Sequence, residues 1–277
     1  MAISGSTGGL GKALCAHMAA LGVARLILLD RNAGKAEALK NALTAAHPDL
    51  CVEFVLTDLA DMHSVENAAK TLETQPIDAL ILNAGAYSIP RHTCDTGYDN
   101  VYQINFISPY FLARTLIPEI RKKGGKIVAV SSIAHDYSKI DENDVDFRTR
   151  EKSSSVYGNA KRFLTYSLMP LEDVNITHPG ITLTNITAHY PEYIFKLIKR
   201  PMKIIFMSPE KASLCILAGL FSSTPASEES WIGPKFWGIW GLPCKRPLST
   251  ATQEEKDSIC AIADNIFNEL SEIGETL

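Results

Sequence analysis

The sequence predicts an α/β protein built on a doubly wound parallel sheet, in one domain spanning residues 1–277. Two observations carry that prediction. Short apolar runs rich in β-branched residues alternate with longer helical stretches through most of the chain, as expected for strands covered on both faces. A glycine-rich loop, Gly5-Ser6-Thr7-Gly8-Gly9-Leu10-Gly11, lies between the first apolar residues and a helical run, the place where such folds hold a phosphate. With 277 residues and 46% hydrophobic content the chain has ample material for one continuous core.

The elements follow in order. Strands are expected at Arg25 to Asp30, Cys51 to Leu56, Asp78 to Asn83, Lys126 to Ser131 and Val174 to His178. Crossover helices fit Ala33 to Ala46, His63 to Thr74 and Gly97 to Arg121. Ser208-Pro209-Glu210 reads as an N-cap, a proline at the first helical position and a first-turn acid, opening a helix that runs through Leu220. Thr252 and Glu255 form a capping-box pattern before Ile259, Ile262, Ile266, Leu270 and Ile273, one apolar stripe on a last helix over about 252–273. Two features are unusual. Only Met1 to Ser4 stand before the glycine loop, which predicts a short, poorly packed first strand, and Pro170 should stop the helix before it early.

Gly5, Gly9 and Gly11 let the backbone turn tightly and approach a pyrophosphate, which then meets the N–H groups of a helix start. Read alone, the loop is equally compatible with a turn that binds nothing. Asp30, about 20 residues further on at the end of the second strand, could accept hydrogen bonds from adenosine ribose hydroxyls. Its charge disfavours a 2′-phosphate and so favours NAD, whereas Arg31 beside it could pair with that phosphate and favour NADP.

Tyr157 and Lys161 are four residues apart and share one helix face. A tyrosine of ordinary pKa, about 10, is a poor base at neutral pH, and an adjacent ammonium helps to lower it. A Tyr-x-x-x-Lys pair is expected by chance about 0.5 times in a chain of this composition, so the wider pattern decides. Gly5-x-x-x-Gly9-x-Gly11 is followed by Asp58-Leu59, Asn83-Ala84-Gly85, Asn105, Ser131-Ser132, Tyr157 with Lys161, and Pro179-Gly180 with Thr184. In this order the motifs resemble those of the short-chain dehydrogenase/reductase family.

The resemblance implies a Rossmann-type domain holding NAD, the preferred cofactor, or NADP. It implies that Tyr157 is the general acid/base, that Lys161 binds the nicotinamide ribose, that Ser132 polarises the substrate oxygen and that Asn105 holds a relay water. Gly5, Ser6, Thr7, Gly9, Leu10 and Gly11 would cradle the phosphates, with Asp30 and Arg31 at the adenosine ribose and Asp58 and Leu59 near the adenine. Asn83, Ala84 and Gly85 would line the cofactor, and Pro179, Gly180 and Thr184 would seat the carboxamide. The polar insert from His135 to Ser154 resembles, loosely, that of retinol-dehydrogenase-like members, although a solvated loop is the plainer reading.

A segment of about 185–207, rich in Tyr, Phe, Ile and Lys, falls where the family covers its substrate and suggests a lipophilic alcohol or carbonyl compound. A basic amphipathic helix touching membrane is the less favoured reading of it. The net charge of -4 offers no field for nucleic acid. Six scattered cysteines without a C-x-x-C pair, and no H-E-x-x-H, predict buried thiols in a cytoplasmic protein and no metal site. The expected activity is hydride exchange between the cofactor and an alcohol, ketone or aldehyde, by a chain that is free to form a homo-oligomer. A non-catalytic dinucleotide-binding regulator with the same fold is the alternative.

Overall fold

A computed structural model describes residues 1–87, 89–182, 206–222, 229–248 and 250–275. Its strands are β1 (Ala2–Ser4), β2 (Arg25–Asp30), β3 (Cys51–Leu56), β4 (Ala79–Leu82), β5 (Lys126–Val130), β6 (Val174–Thr177), β7 (Ser230–Phe236) and β8 (Trp240–Pro247). They form one sheet in the order β3-β2-β1-β4-β5-β6-β7-β8, parallel throughout except for the antiparallel β7–β8 hairpin at one edge. Among the helices are α1 (Gly9–Ala20), α2 (Ala33–Ala46), α3 (Met62–Glu73), α4 (Asn100–Tyr102), α5 (Ser108–Lys122), α6 (Ser153–Leu168), α7 (Pro209–Phe221) and α8 (Gln253–Glu275).

Period-two alternation along each strand divides the core between the two faces of the sheet. Ala2, Ile27, Leu29, Leu80, Leu82, Ile127 and Ala129 pack with residues of α3, α5, α6 and α8. Ile3, Leu26, Leu28, Ala79, Ile81, Val128 and Val130 pack with residues of α1, α2 and α7. Both faces are therefore closed, and the strands read as unbroken apolar runs in the sequence for that reason.

The first strand corrects an expectation. Although β1 is three residues long, it is buried throughout and pairs in register with β2 on one side and β4 on the other. Met1 extends the contact: its ammonium donates to Arg25 O at 3.0 Å, and Ile27 N donates to its carbonyl at 2.8 Å. The ladder bonds expected to be lost are present. As the sequence predicts, α6 ends at Leu168, two residues before Pro170.

Three further readings change. The insert after Ser132 is solvated over much of its length but anchored at three points, with His135, Asp146 and Phe147 buried and Asn159 Nδ2 donating to Val145 O at 2.7 Å. Only Cys15, Cys94 and Cys215 are buried, while Cys51 is exposed. Strand β8 was not anticipated. It is an edge strand carrying Pro243, Pro247, Lys245 and Arg246, residues that suit an edge but weaken any strand pattern in the sequence.

Candidate active site

The carboxyl ends of the parallel strands bring most of the predicted residues together at the switch point between β1 and β4. The glycine loop leaves β1 there. Gly5 has a left-handed φ of 66°, and a Cβ on it would lie 2.8 Å from Ala84 Cα. Gly11 packs so closely on the Gly5 carbonyl that a methyl group would collide with it. At the start of α1 the N-cap, Gly8, provides no side-chain bond, and the first turn carries no acid. The N–H groups of Gly9, Leu10 and Gly11 thus stand at the positive end of the helix without a cap, an arrangement suited to a phosphate.

Asp30, at the end of β2, is only 5% exposed. Its Oδ1 accepts from Thr7 N at 3.2 Å and Thr7 Oγ1 at 2.7 Å, and its Oδ2 accepts from the Ser6 hydroxyl. Three of the roughly four acceptor positions of the carboxylate are thereby taken within the loop, leaving about one on Oδ2. Arg31, the next residue, is exposed.

Asn83 follows β4 and ties that strand to the loop, its Nδ2 donating to Ser4 O at 3.0 Å and Gly5 O at 3.2 Å. The Ser4 hydroxyl accepts from the N–H groups of Asn83 and Ala84, each at 3.0 Å. Asn83 Oδ1 is buried with no hydrogen-bond partner among the described residues, an acceptor still to be satisfied. A Cβ on Gly85 would approach Asn105 Oδ1 to 2.8 Å and Lys161 Nζ to 3.6 Å, so a side chain here would crowd both groups. These features fit a bound dinucleotide.

Two predicted cofactor residues are engaged differently. Asp58 is half-buried and its Oδ1 accepts from Ala60 N at 3.0 Å, shaping the turn after β3. The Leu59 side chain lies in the core, and its carbonyl accepts from Ser108 Oγ at 2.7 Å. Pro179 and Gly180 follow β6, Gly180 at φ 84° with room for no side chain, since a Cβ would come within 2.6 Å of Ile239 O. Thr184 lies outside the described residues, as does the segment from 185 to 205.

Tyr157 and Lys161 stand on α6 against the ends of β4 and β5. The Ser132 hydroxyl accepts from Ala134 N at 3.2 Å, capping the short 3₁₀ turn Ile133–Tyr137, and lies near enough to Tyr157 to influence its titration. Ser131, by contrast, is turned inward onto Thr165 Oγ1 at 2.6 Å. Lys161 is buried, donates from Nζ to Val130 O at 2.8 Å and lies 5.8 Å from the centre of the Tyr157 ring.

The electrostatics differ from the sequence expectation. Burial raises the Tyr157 pKa above its ordinary value, opposed by the nearby Ser132 hydroxyl and assisted by Tyr87. Burial also pushes the Lys161 ammonium down to about 7, because a neutral carbonyl compensates only part of the desolvation. The anticipated depression of Tyr157 therefore does not arise from these side chains alone.

Asn105 sits in a π turn, Gln103–Ile107, between α4 and α5. Its Nδ2 donates to Ala86 O at 2.7 Å and Val101 O at 2.8 Å, and its Oδ1 accepts from Ala86 N at 3.2 Å. The side chain thus fixes the turn after β4 to this helix. A π turn shifts the i→i−4 ladder and releases backbone groups, as commonly seen near functional sites.

Two contributors escaped the sequence reading. Tyr87 meets Tyr157 edge to face with ring centres 5.1 Å apart. Arg162, next to Lys161 and 1% exposed, donates to His135 O at 2.8 Å and to Glu255 through Nε and Nη2, each at 2.7 Å. Neither has a local signal: both depend on contacts with residues far away in sequence.

The fold and crevice define an α/β protein of the dinucleotide-binding class. Residues 1–142 match the model of the short chain dehydrogenase family, and the chain belongs to that family. Human polyprenol dehydrogenase is 24% identical over 229 residues, which are 76% of this chain and 69% of the relative. Human retinol dehydrogenase 13 is 27% identical over 199 residues, 68% of this chain and 60% of the relative. These relatives bear out the retinol-dehydrogenase-like resemblance. A crystal structure of an uncharacterised protein from Mycobacterium paratuberculosis shares the fold, with a TM-score of 0.72 at 22% identity over 98% of this chain and 92% of the other.

Proposed function

We propose that the protein is a nicotinamide-dinucleotide oxidoreductase interconverting a lipophilic alcohol and its carbonyl compound. The observation that carries the reading is the convergence of Ser132, Tyr157 and Lys161 beside a glycine loop and helix start prepared for a pyrophosphate. A nicotinamide dinucleotide would supply or accept the hydride. Gly5 to Gly11 would hold its phosphates, the Asn83 amide oxygen would offer it an acceptor, and the turn at Pro179-Gly180 would line the site.

Ser132 donates a hydrogen bond to the substrate oxygen and places it beside Tyr157. Burial keeps the Tyr157 phenol protonated in the free protein, so it is ready to pass a proton to a carbonyl oxygen as the carbon is reduced. The reverse reaction returns that proton to Tyr157. Lys161, fixed by the Val130 carbonyl, stands close enough to the Tyr157 ring to favour the phenolate once its ammonium is charged.

A preference for NAD rests on Asp30, whose carboxylate keeps about one acceptor position for a ribose hydroxyl and repels a 2′-phosphate. Two relatives named for polyprenol and retinol support a lipophilic substrate. The test is Tyr157→Phe. Turnover should fall by about 10²- to 10⁴-fold with cofactor affinity within about 3-fold of the parent. Undiminished turnover would refute the assignment.

A further inference from the structure

Tyr87 belongs to none of the motifs that point to a dinucleotide site, yet its ring lies against the phenol that the proposed chemistry uses. The two rings meet edge to face, at 81° with centres 5.1 Å apart. Among the described residues no other aromatic ring meets Tyr157.

The chain leading to Tyr87 is tied down residue by residue. Asn83 N and Ala84 N both donate to Ser4 Oγ at 3.0 Å, which joins them to β1. Gly85 has no room for a side chain beside Asn105. Ala86 gives its N–H to Asn105 Oδ1 at 3.2 Å and accepts from Asn105 Nδ2 at 2.7 Å. Asn105 is itself buried and bonded to Val101 O at 2.8 Å. Tyr87 is thus the first residue beyond a turn held on both sides, and its side chain leaves from a fixed position.

Core packing does not explain an aromatic residue at this place. Tyr87 is 43% exposed and belongs to neither half of the core, whereas Tyr157 packs against one of them. The Tyr87 hydroxyl makes no hydrogen bond among the described residues, so its contact with the site is made by the ring. The groups that face Tyr157 are Lys161 from α6, the Ser132 hydroxyl from the turn after β5 and Tyr87 from the turn after β4, and no carboxylate is among them. Helix α6 fixes where the Tyr157 side chain begins, but the last torsion of a tyrosine is broad and two-fold. An edge-to-face partner on a rigid turn supplies the missing restraint.

We propose that Tyr87 is a positioning residue of the active site: its ring sets the plane of the Tyr157 ring and keeps water from one side of it. The phenol then meets the substrate oxygen already oriented. The proposal rests on the reading of Tyr157 as the proton donor. A phenol free to turn binds cofactor and substrate as before but transfers its proton less often, so the loss falls on kcat rather than on KM. Water admitted beside the ring also solvates the phenolate, which removes part of the burial that holds the Tyr157 pKa up.

The full chain is labelled with carbon-13 at tyrosine Cζ, and the Tyr157 signal is identified by its loss in Tyr157→Phe. In the parent this signal should titrate above the ordinary value of about 10. In Tyr87→Ala it should move down toward that value, and in Tyr87→Phe, which keeps the ring, it should stay close to the parent. With decanal and NADH, Tyr87→Ala should lower kcat by about 10-fold while KM and NADH affinity stay within about 3-fold, and Tyr87→Phe should restore kcat. Tyr87 is half exposed, so the thermal unfolding midpoint of both variants should lie close to the parent's. A Tyr157 that titrates in Tyr87→Ala as in the parent would overturn the proposal. Equal losses in Tyr87→Ala and Tyr87→Phe would overturn it too, by assigning the effect to the hydroxyl. A parent that binds NADH without turnover would count against the oxidoreductase reading instead, and the titration would still decide the role of Tyr87.

Discussion

Lys161 shows how one residue's surroundings set a property of the protein. Its ammonium is buried with a carbonyl as partner and titrates near 7, whereas the unfolded chain holds the proton to about pH 10.4. Between these values the unfolded state binds more protons, so stability rises with pH from about 7 toward 10. Below about pH 7 both states are protonated and the full cost of burying the charge remains. Lys161→Met should abolish that rise in urea midpoints measured across the window. A flat profile for the parent would contradict the assignment of a depressed Lys161. The spacing of Tyr157 and Lys161 was legible in the sequence because a helix places residues four apart on one face. The Tyr87 ring was not, because a loop after β4 brings it to Tyr157 from 70 residues away.

Between elements, the decisive contact joins α6 to α8. Arg162 is buried and paired with Glu255, and it also holds the carbonyl of His135 in the turn that Ser132 caps. Thr252 and Glu255 announced a capping box, and half of it forms: Glu255 N donates to Thr252 Oγ1 at 3.2 Å. The carboxylate instead crosses to Arg162, 93 residues away, because an unpaired buried guanidinium costs more than an unfilled cap. Glu255→Ala should therefore lower stability by about 3 kcal/mol in urea unfolding. Replacing both residues by leucine should cost less than the single change, and a double variant as unstable as the single one would remove the pairing from the explanation. A second prediction concerns the glycine loop. Gly11→Ala forces a methyl group onto the Gly5 carbonyl and should weaken dinucleotide binding by at least about 10-fold, as measured by fluorescence titration.

At the scale of the molecule, the sheet brings together residues from Gly5 to Gly180 that no local pattern connects. Strand order explains this: placing β1 between β2 and β4 opens a crevice where the glycine loop, the Asn83 turn and the Ser132 turn converge. Alternating apolar runs made the parallel strands and most of their helices legible. Strand β8 was not, since its prolines and exposed aromatic residue break the period on which such reading depends. The hydrogen bonds that draw Asp30 into the loop from Ser6 and Thr7 were not legible either, because they appear only in three dimensions.

The most direct test is a parallel fluorescence titration of the intact protein with NADH and NADPH, read by energy transfer from tryptophan to the reduced nicotinamide. Saturable binding of NADH, with NADPH weaker, is the predicted result, and Tyr157→Phe should preserve it. Binding of neither dinucleotide by the folded protein would contradict the account.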